Sequence, residues 1–170
     1  MTPRVLRAAV AAVALAGAGV ASYLVYARYA GVALLCTGGG CEAVQHSRYA
    51  TLAGVPVAAL GLLAYLLVFV TALFRTELAR ATGVATALAG VIFGAYLVYV
   101  QLALIHRICE WCLASDALMT VLAALAILRV LVEPVTEPAG GASSRRRARA
   151  PSPRARRRPP APGPRRPRRA

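Results

Sequence analysis

Four apolar runs, each about long enough to cross a bilayer, limit the fold of this chain more than any other feature. They cover residues 8–27, 55–74, 83–105 and 113–132. A helix needs about 20 apolar residues to cross a bilayer, and a backbone in lipid must satisfy its own hydrogen bonds. The sequence therefore predicts an all-α, polytopic membrane protein whose four transmembrane helices form a bundle.

The composition of the chain changes near residue 137. The net charge is +14, but 12 of the 20 arginines and seven of the 11 prolines follow residue 144. We therefore expect residues 1–137 to form the membrane domain and residues 138–170 to be a disordered tail that cannot bury a core. Contact with anionic lipid is the simplest role for this tail. Nucleic-acid binding is disfavoured because no aromatic residue accompanies the charge.

The arginines outside the tail predict the orientation of the spans. With the N-terminus inside, the cytoplasmic ends of the spans carry Arg4, Arg7, Arg75, Arg80 and Arg129, and the outer ends carry Arg28, Arg48 and Arg107. Since basic residues favour the cytoplasmic side, we expect a multi-pass cell-membrane protein with both termini in the cytoplasm. The loop of residues 28–54 and the connection before the last span then lie on the extracytoplasmic face.

Two segments near the outer face and the N-terminus carry further expectations. Residues 42–49 are expected to form a short helix at the interface, and Gly54 and Pro56 to open the second span. The N-terminal arginines, the apolar run and the small residues at 16–21 also resemble a cleavable signal peptide. The length of the run favours an uncleaved span instead.

The four cysteines lie in two pairs on the predicted outer side. Cys36 and Cys41 enclose four residues, three of them glycine, while Cys109 and Cys112 form Cys-Glu-Trp-Cys before the last span. Disulfides persist in that compartment. The i, i+3 spacing at a helix start puts both sulfurs on one face, where unpaired N–H groups stabilise a thiolate. Two such pairs facing one another can pass electrons.

Two other interpretations of the cysteines stay open. All four could hold a metal ion, which would make the chain a non-enzymatic metal-binding membrane protein. The pair Cys36 and Cys41 could also be a static bridge that ties down a surface loop. The glycine-rich, wider spacing of the first pair and the oxidising compartment disfavour the metal site.

These features together resemble the vitamin K epoxide reductase family in its bacterial form. The resemblance rests on the four spans, the loop pair after the first span, the segment Ser47–Pro56 followed by Gly61, and Cys109-Glu-Trp-Cys112 before the last span. It covers residues 8–132. The DsbB family is similar in span number and chemistry, but it carries its Cys-x-x-Cys after the first span.

The resemblance implies a function. It implies a four-helix bundle that holds a quinone, menaquinone or ubiquinone, near its outer end. It also implies a thiol oxidase that reoxidises a DsbA-like thioredoxin-fold partner and so supports disulfide formation in exported proteins. By the family pattern, Cys112 lies next to the quinone with Cys109 as its disulfide partner, Cys41 attacks Cys109, and Cys36 exchanges with the partner protein.

A quinone needs an apolar pocket with one or two polar contacts, and the candidates for these are Ser47, Gln101 and Asp116, since polar residues within spans tend to be functional. Ser47 matches a serine near the family's active site. Asp116 stands where the vertebrate enzymes have a quinone-contacting tyrosine, so a plain quinone is expected rather than vitamin K epoxide. Gln101 could instead bond a neighbouring helix, and Asp116 could serve the helix N-terminus. Glu110 replaces a proline common in bacterial members, and its charge disfavours a neighbouring thiolate.

Overall fold

The computed structural model describes residues 2–132, so the predicted tail at 138–170 lies outside the described residues. The prediction of a mostly helical membrane protein is confirmed. Within the described part, three helices are long and apolar enough to cross a membrane, and a fourth apolar helix is shorter. The elements in chain order are α1 Pro3–Ala30, α2 Gly40–Gln45, a 3₁₀ turn Arg48–Ala50, β1 Thr51–Leu52, β2 Val55–Pro56, α3 Val57–Leu73, α4 Glu77–Val100 and α5 Glu110–Val132.

The core lies where α1, α3 and α5 meet and where α4 packs on α3 and α5. On α1 the buried positions Val10, Ala14, Ala18 and Ala21 follow one another at helical spacing. Small residues at such a seam let helix backbones approach closely, which is how helices associate in a membrane. The outward faces of the helices carry large apolar side chains, such as Ile92 of α4, which is 72% exposed. Lipid, rather than water, is the solvent that suits such side chains.

Helix α3 has 17 residues and lies within the predicted span 55–74. Pro56 was expected in its first turn. Instead Pro56 precedes the helix and pairs with Thr51 in a two-residue antiparallel ladder, with Gly54 in the turn at φ 82°. This small hairpin is a departure from an all-α chain. The short helix expected over 42–49 is divided between α2 and the 3₁₀ turn at Arg48–Ala50.

The C-terminal end of α3 is bound by two arginines from other helices. Arg7 of α1 donates to the carbonyls of Ala72 at 3.1 Å and Leu73 at 2.8 Å. Arg129 of α5 donates to Thr71 O at 3.1 Å and to Phe74 O at 2.6 Å. The last carbonyls of a helix have no partner inside the helix, so these guanidinium groups satisfy them where α3 stops.

Two helices begin earlier than their apolar runs. α4 starts at Glu77 rather than at residue 83, because Thr76 caps it by accepting a bond from Ala79 N at 3.2 Å. α5 starts at Glu110 rather than at residue 113. α4 also continues as a π-turn over Gln101–Ile105, which the sequence analysis did not predict. Hydropathy marks where lipid begins, whereas caps decide where a helix begins.

Candidate active site

The loop pair forms a disulfide between Cys36 and Cys41, with a Cα–Cα distance of 6.3 Å. Cys41 is in the first turn of α2, and Gly39 before that helix has a positive φ of 64°, a conformation that glycine adopts without strain. Cys41 is fully buried, whereas Cys36 is partly exposed. One sulfur of the loop pair therefore faces the protein interior and the other is nearer the surface.

The second disulfide joins Cys109 and Cys112 across the start of α5, with a Cα–Cα distance of 5.2 Å. Cys109 directly precedes the helix, and its Sγ accepts a bond from Cys112 N at 3.2 Å, as a helix-capping side chain does. Cys109 is fully buried and Cys112 partly so. The helix N-terminus thus surrounds this pair with backbone N–H groups that stabilise thiolates.

The π-turn at the end of α4 holds the second pair in position. Its first residue, Gln101, is 2% exposed, and its side-chain oxygen accepts a bond from Cys109 N at 2.8 Å. The chain then reverses at His106, which has a positive φ of 53°. Gln101 therefore bonds the start of the neighbouring helix, which was one of the two interpretations open for it. A π-turn re-aims side chains within a helix and is common at functional sites.

The two disulfides adjoin through the residues that precede Cys41 and Cys109. A Cβ placed on Gly40 would collide with the backbone carbonyl of Ile108. The chain segments therefore approach as closely as backbones can, and only glycine permits this contact. Cys41 and Cys109, the fully buried member of each pair, each come one residue after this point. The structure thus brings the segments that carry Cys41 and Cys109 into contact, and exchange between these two cysteines stays a prediction.

A cavity of about 450 Å³ lies beside the second disulfide. All three predicted quinone contacts, Ser47, Gln101 and Asp116, line it together with Cys112. The remaining walls are largely apolar and include Leu24, Leu60, Phe93, Leu97 and Ile105. An apolar cavity of this size with a few convergent polar groups has the character of a small-molecule site. Of the four cysteines, all of them in the described part of the chain, Cys112 alone lines it.

Asp116 carries an unpartnered polar atom at this cavity. Its Oδ2 is buried without a hydrogen-bond partner among the described residues. The side chain fits because position 94 is glycine, where a Cβ would come within 2.7 Å of Asp116 Oδ1. α5 begins six residues before Asp116, too far for a helix-terminus role, since that effect is confined to the first turn. The alternative interpretation of Asp116 therefore has no support here.

The other predicted contact, Ser47, donates from its Oγ to Val44 O at 2.7 Å. Sequence reasoning missed Tyr65 and Ser115, which also line the cavity. The Tyr65 hydroxyl donates to Ser115 O at 2.6 Å and is 3.2 Å from Ser115 Oγ. Tyr65 is fully buried. A polar aromatic residue inside an apolar span was the available signal for it.

The tertiary arrangement defines the class of protein to which the chain belongs. Two adjoining disulfides beside an apolar cavity, in a bundle of apolar helices, are the features of a membrane protein that exchanges thiols and disulfides. Residues 8–127 match the sequence model of the vitamin K epoxide reductase family, and the chain belongs to that family. It is thus a membrane oxidoreductase of a quinone-linked family that acts on thiols, and the family is generally associated with a thioredoxin-like partner.

Proposed function

We propose that this protein is a thiol:quinone oxidoreductase that reoxidises a DsbA-like thioredoxin-fold partner and supports disulfide formation in exported proteins. One observation carries the proposal. The chain segments that carry the two buried cysteines touch at Gly40 and Ile108, and of the four cysteines only Cys112 lines the apolar cavity. Cys36 near the surface and Cys112 at the cavity would be the two ends of the relay, and a quinone, which is more oxidising than a dithiol, sets the direction of electron flow.

The relay consists of four thiol–disulfide exchanges. A thiolate of the reduced partner attacks Cys36, and resolution of this mixed disulfide leaves the loop pair as a dithiol and the partner oxidised. Cys41 then attacks Cys109 and releases Cys112 as a thiolate beside the cavity. Cys36 attacks Cys41 in turn, so the loop disulfide re-forms and the second pair becomes a dithiol. Two electrons have then moved from the partner to the pair that adjoins the cavity.

The cavity residues fit a quinone. A quinone, when bound, supplies an acceptor for two electrons and two protons. The apolar walls suit its ring and chain, and the unpartnered Oδ2 of Asp116 marks a polar position that protein groups leave open. Ser47 and Gln101 line the same cavity, but Ser47 Oγ already donates to Val44 O and Gln101 Oε1 already accepts from Cys109 N. Asp116 is therefore the main polar contact that we assign to menaquinone or ubiquinone.

The proposal includes four membrane crossings, in which the shorter helix α3 spans the bilayer along with the three longer helices, and both termini lie in the cytoplasm. At about 1.5 Å per residue, α3 is about 25 Å long, slightly short of the hydrocarbon thickness. Arg7 and Arg129 support a crossing, because they satisfy the last carbonyls of α3 that lipid would leave unpaired. The arginine distribution supports the orientation, with all four cysteines on the extracytoplasmic face.

Two cysteine substitutions test the relay. Cys36→Ala should abolish oxidation of a reduced thioredoxin-fold protein, but should leave quinone reduction by dithiothreitol largely intact, because a small thiol can reach the second pair directly. Cys112→Ala should abolish both reactions. Absorbance of a short-chain ubiquinone measures its reduction, and alkylation measures the partner's thiols. Retained quinone reduction in Cys112→Ala would show that the cysteine at the cavity has been assigned wrongly.

The four-cysteine metal protein remains the alternative to this proposal. Within residues 2–132, no three His, Cys, Asp or Glu side chains are grouped as a metal site would require, so no observation favours it. Counting free thiols and bound metal by mass spectrometry, with and without a reductant, separates the two. The relay predicts four thiols gained on reduction, whereas a four-thiolate site predicts one metal ion and no gain.

A further inference from the structure

We propose that Thr37 and Glu110 are positioning residues for exchange between the two disulfides. Together with the contact between Trp111 and Leu35, they form a latch that holds the loop pair against the start of α5. This inference rests on the proposed function, because the latch has a purpose only if the loop pair and the second pair exchange electrons.

The latch encloses Cys36 on both sides. The residue before it, Leu35, accepts a hydrogen bond from Trp111 Nε1 at 2.9 Å, and the residue after it, Thr37, bonds to Glu110. Thr37 donates from its hydroxyl to Glu110 Oε1 and from its backbone N–H to Oε2 at 3.5 Å. Glu110 and Trp111 are the two residues between Cys109 and Cys112. These contacts therefore hold Cys36 beside the Cys109-Glu-Trp-Cys112 segment.

Tyr23 of α1 supports the contact between Leu35 and Trp111. Its ring lies 5.0 Å from the ring of Trp111, between centroids, and its hydroxyl accepts from Leu35 N at 3.5 Å. A second attachment point lies five residues further along the loop from Leu35, where Gly40 meets the backbone of Ile108. The loop disulfide is thus held at both of its ends, and the latch controls the end that carries Cys36.

The chemistry of Glu110 argues for this role. A carboxylate between two cysteines opposes thiolate formation on either side, so it is a costly residue at this position. An acid in the first turn of a helix also gains from the helix dipole. That second effect involves Glu110 alone, whereas the latch also requires the hydroxyl of Thr37. The two explanations therefore predict different behaviour when Thr37 is changed.

The exposure of the latch suits a contact that opens and closes. Thr37 and Glu110 are both exposed, so water can replace their bonds when the loop lifts to meet a partner. When closed, the latch keeps Cys41 near Cys109. Cys41 then forms a bond to Cys109 Sγ, the Cys109–Cys112 bond breaks, and Cys112 leaves as a thiolate. The Cys41 thiolate supplies the electron pair of the new bond, and Cys112 leaves with the pair of the broken bond, so charge and electrons balance.

An equilibrium between two cysteines measures the latch directly. The double variant Cys36→Ala/Cys112→Ala of the full chain keeps Cys41 and Cys109 alone. In a buffer of reduced and oxidised glutathione, the fraction joined as a Cys41–Cys109 disulfide gives the effective concentration of one thiol at the other. This measurement needs neither a quinone nor a partner, so it is independent of the proposed activity.

In this background, Thr37→Val removes the hydroxyl at nearly constant shape, and Thr37→Ser retains it. We expect Thr37→Val to lower the effective concentration by roughly three- to tenfold, as loss of a hydrogen bond to a charged group would, and Thr37→Ser to restore it. Glu110→Ala should cause a similar loss, and adding Thr37→Val to it should cause none further. Glu42→Ala is the matched control, because Glu42 is an exposed acid of α2. It should change nothing.

Equal values for Thr37→Val and Thr37→Ser would overturn the latch, as would additive losses from Thr37→Val and Glu110→Ala. A second measurement uses the four-cysteine protein, reduced and then given one equivalent of ubiquinone-1, with acid quenching and alkylation of the thiols. Thr37→Val should delay only the appearance of the loop disulfide. If the wild type formed no disulfide at all, the proposed function would be wrong. The glutathione equilibrium of the double variant would still test the latch separately.

Discussion

At the scale of single residues, Gly40 and Asp116 show two different demands of the site. Gly40 must lack a side chain, because the backbone of Ile108 occupies the position that a Cβ would take. Asp116 keeps a buried oxygen without a hydrogen-bond partner in the described chain. Such an atom destabilises the fold, so its presence indicates a group that the function needs.

We expect Gly40→Ala to weaken exchange between the two disulfides by roughly tenfold, since its methyl group would push the loop away from Ile108. The quantity to measure is the Cys41–Cys109 effective concentration in the double-cysteine background. Gly38→Ala is the matched control, because a Cβ at Gly38 has no atom within 4 Å. Equal effects of the two substitutions would mean that loop stiffness, rather than contact with Ile108, sets the effective concentration.

Asp116→Leu should separate stability from activity. Removing a buried unpartnered carboxyl should leave the free energy of unfolding unchanged or raise it by about 1–3 kcal/mol. Loss of the polar contact should raise the apparent KM for a short-chain quinone roughly tenfold. Thermal unfolding in detergent and quinone-reduction kinetics measure the two effects. A drop in stability with an unchanged KM would show that Asp116 serves the fold alone.

At the scale of elements, the ends of the helices matter more to the site than their middles. The π-turn at Gln101–Ile105 supplies the side chain that holds Cys109, and the start of α5 holds both sulfurs of the second pair. At the other end of α3, Arg7 and Arg129 bind its last carbonyls. The arginine contacts join residues 55 to 66 positions apart, whereas Gln101 and Cys109 are only eight positions apart.

Arg129→Met should therefore destabilise the bundle by about 2–4 kcal/mol, because it leaves the carbonyls of Thr71 and Phe74 without these bonds in a buried region. Arg75→Met removes the same charge from an exposed residue next to the same helix end and should cost little. The midpoint of thermal unfolding, followed by the circular dichroism of the helices, compares the two variants. Similar midpoints would show that charge, and not helix capping, matters here.

At the scale of the whole molecule, the cysteines and the two arginines that bind the end of α3 lie at opposite ends of the bundle. The cysteines cluster where α1 ends and α5 begins, and the Arg7 and Arg129 contacts lie at the opposite ends of the same helices. The proposed orientation makes the first end extracytoplasmic, where a disulfide partner would be found, and the second end cytoplasmic.

A membrane-impermeant maleimide should label the wild-type cysteines in intact cells after mild reduction. The control is Arg75→Cys in a chain whose four native cysteines are alanine, since residue 75 joins α3 to α4 at the opposite end. That cysteine should react only after the membrane is permeabilised. The reverse pattern would contradict the orientation and would require the redox partner to be cytoplasmic.

The sequence by itself determined the membrane class, the positions of the apolar helices within several residues, and the two cysteine pairs. These follow from hydropathy and spacing, which are local properties of a chain in lipid. Only the tertiary structure decided that Gly40 meets Ile108, that Glu110 bonds Thr37, and that Tyr65 and Ser115 line the cavity with the three predicted quinone contacts. These contacts join residues up to 73 positions apart in the case of Thr37 and Glu110, and local periodicity carries no information about such pairs.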